Sequence, residues 1–309
     1  VKSEAVKPVR GPKGIILELA SLIPYSVGIR LLGLFLGNPL IQRTLLRKRR
    51  RHLCASLEAV GSTAAPASAL TRNLLSNTAL PWIVNALSRC SDTEFRRWVH
   101  VEGETLLDAA KARGKGLLVV NCHTGVSRLV PWMLMRRFGD VSAMEPEAWL
   151  ARMGVRDGDK VNSISMRGDG EKFWLRQLFQ ASRAMADGKT MHVAMDGLQG
   201  TGGKARNFLG RTRLFHVGLA QVAISRSTPI IQVVTRIDER GMITVRYLDP
   251  LAGAAPDLDD EGRLAYFLDN YQAAIETVWR EDTGNVAVRH LRHFMTSQPH
   301  APERVAESA

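Results

Sequence analysis

The run Gly116-Leu117-Leu118-Val119-Val120, leading straight into Asn121-Cys122-His123, constrains this chain more than any other feature. A short, continuous apolar run with glycine before it and polar residues after it fits a fully buried parallel strand. The same pattern returns in the apolar run 191–195, which ends at Asp196-Gly197, and in Ile230–Arg236 after Pro229. Residues 242–248 read as a fourth strand. Helical periodicity fills the intervals: Glu104–Arg113, 129–138, 170–187 closing at Gly188, 215–226 and 260–281. Strands alternating with helices after residue 114 predict an α/β fold, with a central mixed, mostly parallel sheet flanked by helices.

The first hundred residues have a different texture. Residues 1–14 read as a basic tail, and Val1 in place of a starting methionine reads as a trimmed chain. Residues 15–37 are strongly apolar but interrupted by Glu18, Pro24 and Arg30. That leaves no uncharged run long enough to span a bilayer. One or two helices lying in a membrane interface fit better, and no secretory cleavage pattern follows them. Residues 40–58 read as a helix carrying Arg47-Lys48-Arg49-Arg50-Arg51. Residues 61–70 read as a loop, 72–90 and 92–99 as helices, the second capped by Ser91 or Asp92. The organisation expected is therefore an N-terminal helical, membrane-interface region over 1–100, an α/β domain over 101–298 and a disordered tail over 299–309.

Net charge is +12 in 309 residues, so an anionic partner is implied: a phospholipid surface, an acidic carrier protein, a coenzyme phosphate or a nucleic acid. Nucleic acid is the least supported, because no recognition module or interleaved aromatics accompany the charge. The three cysteines, Cys54, Cys90 and Cys122, have neither metal-ligand nor redox spacing, which points to free thiols in a reducing compartment.

Chemistry gathers at the C-terminal ends of strands in open α/β sheets, and His123 is placed there. A lone histidine at a strand end is often structural, so position alone does not decide its role. Asp196 ends a second strand and reads equally as a loop cap or as a partner for His123. Glu145 and Glu147 read as solvated surface before chemistry. The Gly200–Gly203 loop lacks the Gly-Lys-Ser/Thr ending of a P-loop. Lys204, Arg206, Arg211 and Arg213 near it suit a phosphopantetheine or carrier surface, or are simply solvated.

Four blocks in order carry a family resemblance: Gly116–Val120 with His123; Ala186-Asp187-Gly188-Lys189 with the strand to Asp196-Gly197, the glycine loop and Asn207-Phe208-Leu209-Gly210-Arg211; Gly218-Leu219-Ala220 with Ser227-Thr228-Pro229-Ile230-Ile231; and Arg289-His290-Leu291-Arg292-His293-Phe294. Together they resemble the bacterial lauroyl/myristoyl (lipid A biosynthesis) acyltransferase family over about residues 15–295. The resemblance implies an acyltransferase that moves an acyl group from acyl carrier protein or acyl-coenzyme A to a hydroxyl or amine. It implies His123 as general base, Arg167 in a substrate-contacting basic stretch, no metal or redox cofactor, and a peripheral place on the cytoplasmic face of the inner membrane. The family's motif is His-x4-Asp/Glu, and here its last position is Arg128. An arginine accepts no hydrogen bond and cannot orient an imidazole as an acid does. Three readings follow: Asp196 supplies the orientation while Arg128 binds an anionic acceptor; the acceptor is an amine that needs less help; or the chain binds acylated carriers or lipids without catalysis. A transferase with a tRNA-borne aminoacyl donor is the variant that would use nucleic acid.

Overall fold

A computed structural model of the chain describes residues 20, 22–144, 161–164, 171–198 and 203–299. The basic tail, Glu145, Glu147, Arg167, Gly200–Gly202 and residues 300–309 lie outside the described residues.

Among the described residues these helices come first: α1 (Tyr25–Gly37), α2 (Pro39–Arg43), α3 (Arg47–Val60), α4 (Pro66–Asn77), α5 (Leu80–Ser88) and α6 (Asp92–Trp98). The rest alternates: β1 (Val99–Glu102), α7 (Glu104–Ala112), β2 (Leu117–Asn121), α8 (Val130–Phe138), β3 (Val141–Ala143), β4 (Val161–Ser163), α9 (Glu171–Ala186) and β5 (Thr190–Ala194). There follow β6 (Lys204–Phe208), β7 (Arg211–Phe215), α10 (Gly218–Ser225), β8 (Ile230–Ile237), β9 (Ile243–Leu248), α11 (Asp260–Glu281) and α12 (Val288–Thr296). Seven strands form one sheet in the order β1-β9-β8-β2-β5-β3-β4, and β6 pairs with β7 alone. β8, β2, β5, β3 and β4 run parallel, while β9 is antiparallel to β8 and β1 is parallel to β9. The α/β class with a mixed, mostly parallel sheet is thus present. β2 is buried along its whole length because it sits between two parallel neighbours, which is why its sequence is unbroken by polar residues.

The helical region shares one apolar core with the sheet, running from Tyr25 to Phe294. Tyr25 stacks on Trp82 and donates from its hydroxyl to the Gly241 carbonyl at 2.7 Å. Arg72 on α4 bridges Glu239 and Asp282, each at 2.7 Å. α1 buries Tyr25, Gly28, Ile29 and Leu36 on one face, yet Val27, Leu31, Leu34 and Phe35 on the other are exposed. Apart from Arg30 that second face is largely apolar, which suits an apolar environment there too. Among the described residues no helix is long and apolar enough to cross a membrane.

Several elements depart from the sequence reading. The stretch 61–70 is loop only to Ala65, because Pro66 takes the first helical position, where a missing N–H costs nothing. The helix expected over 72–90 breaks at Thr78–Ala79, since Pro81 cannot donate back into the preceding turn. Val99 belongs to β1 rather than to the helix before it, which Ser91 caps by accepting from the Glu94 N–H at 3.2 Å. Residues 204–215 form a hairpin, and 288–296 form a helix.

Candidate active site

β2 and β5 are adjacent and parallel, with Asn121 paired to Ala194. Carrying that register two residues further sets His123 against Asp196. The contact is made: His123 Nδ1 lies 2.8 Å from Asp196 Oδ1, and the His123 backbone N–H donates to both carboxylate oxygens at 3.1 Å. The turn after His123 is clamped from behind. Gly125 has φ +52, and a Cβ there would overlap the Thr235 carbonyl of β8. The Gly125 N–H donates to the Asn285 carbonyl at 2.7 Å, and Thr124 bridges Val286. That bridge delivers the start of α12 over the histidine.

Two residues reach the site from α12. His290 is fully buried and stacks on His123, ring centroids 4.3 Å apart. Arg289 is exposed, and its guanidinium lies 2.8 Å from His123 Nε2. From the hairpin, Arg213 donates to Asp196 Oδ2 at 3.1 Å and to His290 Nδ1 at 2.9 Å. Its guanidinium also lies over the rings of Phe208 and Trp279, each 4.9 Å from the centroid.

The tautomers follow from these partners. A guanidinium only donates, so His290 Nδ1 and His123 Nε2 both accept. The proton of His123 therefore sits on Nδ1, facing Asp196, and the lone pair on Nε2 faces outward, as a general base requires. Asp196 is 1% exposed. Burial raises its carboxyl pKa, but the contacts with His123, His290 and Arg213 lower it by more, well below the usual carboxylate range. Burial pushes His290 down to about 2, opposed by Asp196 and reinforced by the neighbouring cations, so the ring is neutral. Burial also raises the Cys122 thiol to about 12, which removes a thiolate nucleophile next to His123.

His123, Asp196 and His290 place one ligand atom each within 4.8 Å, close enough to hold a metal ion. Here Arg213 already lies against two of those atoms and supplies the positive charge that a metal would bring. The set therefore fits a hydrogen-bonded His–Asp–Arg network better than a metal centre.

The other residues singled out in the sequence are more scattered. Arg128 lies on the short 3-10 turn Ser127–Leu129 after His123, half-buried. Lys204 is exposed at the start of β6. Arg206 pairs with Asp269 and donates to Gln272 Oε1 at 3.3 Å, both on α11. Arg211 donates to the Ser297 carbonyl at 2.7 Å and lies over Phe294. Both arginines thus spend their donors within the chain. Arg213, read from the sequence as facing a phosphopantetheine or carrier surface or solvent, is instead buried against Asp196, and His290 was not singled out as a member of the site. The one signal was phase: in Arg211-Thr212-Arg213-Leu214-Phe215, Arg213 shares a face with Phe215 while Leu214 points to solvent. No protein-family model matches this chain, and no curated protein matches it in sequence.

Proposed function

We propose that this chain is an acyltransferase, a divergent relative of the lauroyl/myristoyl family in which Asp196 takes the part of the acid missing at position 128. The observation that carries the reading is the 2.8 Å contact between His123 Nδ1 and Asp196 Oδ1, which leaves the Nε2 lone pair outward. In the step proposed, Nε2 takes the proton of the acceptor hydroxyl or amine. The freed oxygen or nitrogen attacks the thioester carbonyl carbon, the carbon–sulfur bond breaks, and the thiolate takes the proton back from the imidazolium. Asp196 stabilises that imidazolium while the proton is held. The donor is an acyl thioester of carrier protein or coenzyme A, and the exposed apolar face of α1 with the basic run on α3 suits work at an anionic membrane surface.

Thiol release from acyl-coenzyme A and from acyl carrier protein tests this directly. His123→Ala and Asp196→Asn are each expected to cut release by about 10²–10⁴-fold, and the double variant by no more than either alone. Full activity in His123→Ala removes the dyad as base. A binding-only role is the second reading, favoured by the guanidinium of Arg289 standing on Nε2. It prevails if the wild type consumes no thioester with any hydroxyl or amine acceptor.

A further inference from the structure

The hydrogen bond to Asp196 does not by itself aim the His123 ring. It fixes Nδ1 against Oδ1 but leaves the ring to rock about the Cβ–Cγ bond, a torsion with broad wells. Rocking moves Nε2, the atom that must meet the acceptor, and a displacement of about 1 Å at a reacting atom can cost about 10²-fold in rate. The contact from Arg289 restrains Nε2 little, because that long side chain is exposed and keeps its rotamer freedom.

The His290 ring supplies a surface that the hydrogen bond lacks. It lies against His123 with an interplanar angle of 23° and ring centroids 4.3 Å apart. Packing alone does not call for an imidazole at this place. His290 is fully buried, and its Nε2 has no hydrogen-bond partner among the described residues, so a phenyl ring would bury at lower cost. What the imidazole adds is the Nδ1 lone pair, which accepts from Arg213 at 2.9 Å. Arg213 is itself wedged over Phe208 and Trp279, so the ring that it holds is fixed in rotation. The backbone of His290 is fixed as well. The Ala287 N–H donates to the carbonyl of His123 at 3.0 Å, and the Val288 N–H donates to Asn77 Oδ1 at 3.1 Å. Asn73, on the same helix α4, donates to the Val286 carbonyl at 3.1 Å.

We infer that His290 is a positioning residue for His123: its ring, locked by Arg213, sets the plane of the His123 ring and so the direction of the Nε2 lone pair. The same lock serves the charge. A ring that takes a proton is opposed by a second charged ring at this distance. With its Nδ1 lone pair directed at a guanidinium, His290 stays neutral against its partner. That the aim serves proton removal from an acceptor rests on the acyl-transfer reading; the aim itself does not.

Proton and nitrogen-15 NMR of the histidine side chains tests this in the full chain. In the wild type at neutral pH the two rings should show a nuclear Overhauser contact, with the proton of His123 on Nδ1 and that of His290 on Nε2. A missing ring contact, or a protonated Nδ1 on His290, overturns the inference before any variant is made and decides it if the variants do not fold. Two substitutions then separate the ring from its nitrogen. His290→Phe keeps a flat ring and loses the acceptor, whereas His290→Asn keeps an acceptor for Arg213 and loses the ring. Exchange of the His123 Nδ1 proton with water should be about two- to tenfold faster in His290→Asn than in the wild type, the worth of one aromatic pair, and His290→Phe should lie between them. The buried His192 resonance reports that each variant is folded. Equal exchange in the wild type and His290→Asn, or faster exchange in His290→Phe than in His290→Asn, reduces His290 to core packing. In thioester turnover both variants should lower kcat and leave KM nearly unchanged, His290→Asn more than His290→Phe. Exchange is read without donor or acceptor, so a chain that consumes no thioester can still show the ring held, and one that transfers acyl groups can still show it loose.

Discussion

Arg213 is 5% exposed and Asp196 1%, so neither charge has water to fall back on. Arg213→Met would leave a buried carboxylate short of its permanent counter-charge, a loss of about 3–5 kcal/mol for a pair of this kind. Adding Asp196→Asn should recover a good part of that loss, and urea unfolding of the four-member cycle measures it. A second prediction concerns acid. His192 is fully buried on β5, neither ring nitrogen has a hydrogen-bond partner, and burial, with His123 adding to it, holds its pKa down to about 3. The unfolded chain takes up a proton at this residue below its ordinary value of about 6.5, whereas the folded chain refuses it. Stability contributed by a neutral His192 is thus full above about 6.5 and falls as pH drops towards the folded value, by about 1.4 kcal/mol per pH unit. His290, held at about 2, adds a similar slope in the same direction. His192→Leu should make stability less acid-sensitive by about one proton's worth between pH 6 and pH 4, as read by denaturant titration at a series of pH values. An unchanged slope would mean that His192 is charged in the folded chain. The pairing of His123 with Asp196 was legible in the sequence, because each closes an apolar run that reads as a parallel strand, and neighbouring parallel strands bring their C-terminal ends together. Arg213 and His290 were not, since their partners are set by the hairpin and by α12, and neither position breaks a local pattern that polarity alone would flag.

At the scale of elements, the strands with unbroken apolar runs and the helices with clean periodicity were readable. The short β1, half-exposed, was not. The hairpin β6–β7 escaped because its strands carry charge in the inward phase, so alternation of polarity did not mark them. Its turn, Leu209-Gly210, has φ of +51 and +80, the signature of a type I′ connection. Gly210→Ala meets no atom within 4 Å, so its cost is the backbone conformation alone, about 1 kcal/mol. Gly125→Ala is a harsher change in the same left-handed region, because the new Cβ runs into the β8 backbone behind His123. It should lower the melting temperature more than Gly210→Ala and depress thioester turnover as well. Equal melting temperatures for the two would show that the turn behind His123 yields freely.

For the whole molecule, eight of the thirteen exposed large apolar side chains among the described residues lie at the N-terminal helices: Leu22, Ile23, Val27, Leu31, Leu34, Phe35, Leu40 and Leu45. Arg43, Arg47, Lys48 and Arg51 are exposed on α2 and α3, which follow α1 in the chain. Docking on anionic vesicles is the expected result, weakening with added salt and weaker still after Leu31→Ser with Leu34→Ser. Each cation near such a surface contributes about 1 kcal/mol, so replacing Arg47 and Lys48 by Gln should cost roughly 2 kcal/mol of vesicle affinity. Co-sedimentation measures both, and equal binding to neutral vesicles would remove the electrostatic part.

The bridge between Thr124 and Val286 also sets an order of events during synthesis. His123 and Asp196 leave the ribosome long before the segment that clamps the turn after His123 and carries His290 onto the ring. Until α12 emerges, the nascent chain holds a half-built site, with Arg213 and Asp196 in place but no His290 ring stacked on His123. The site is thereby closed by a contact about 160 residues away in sequence from the histidine it covers.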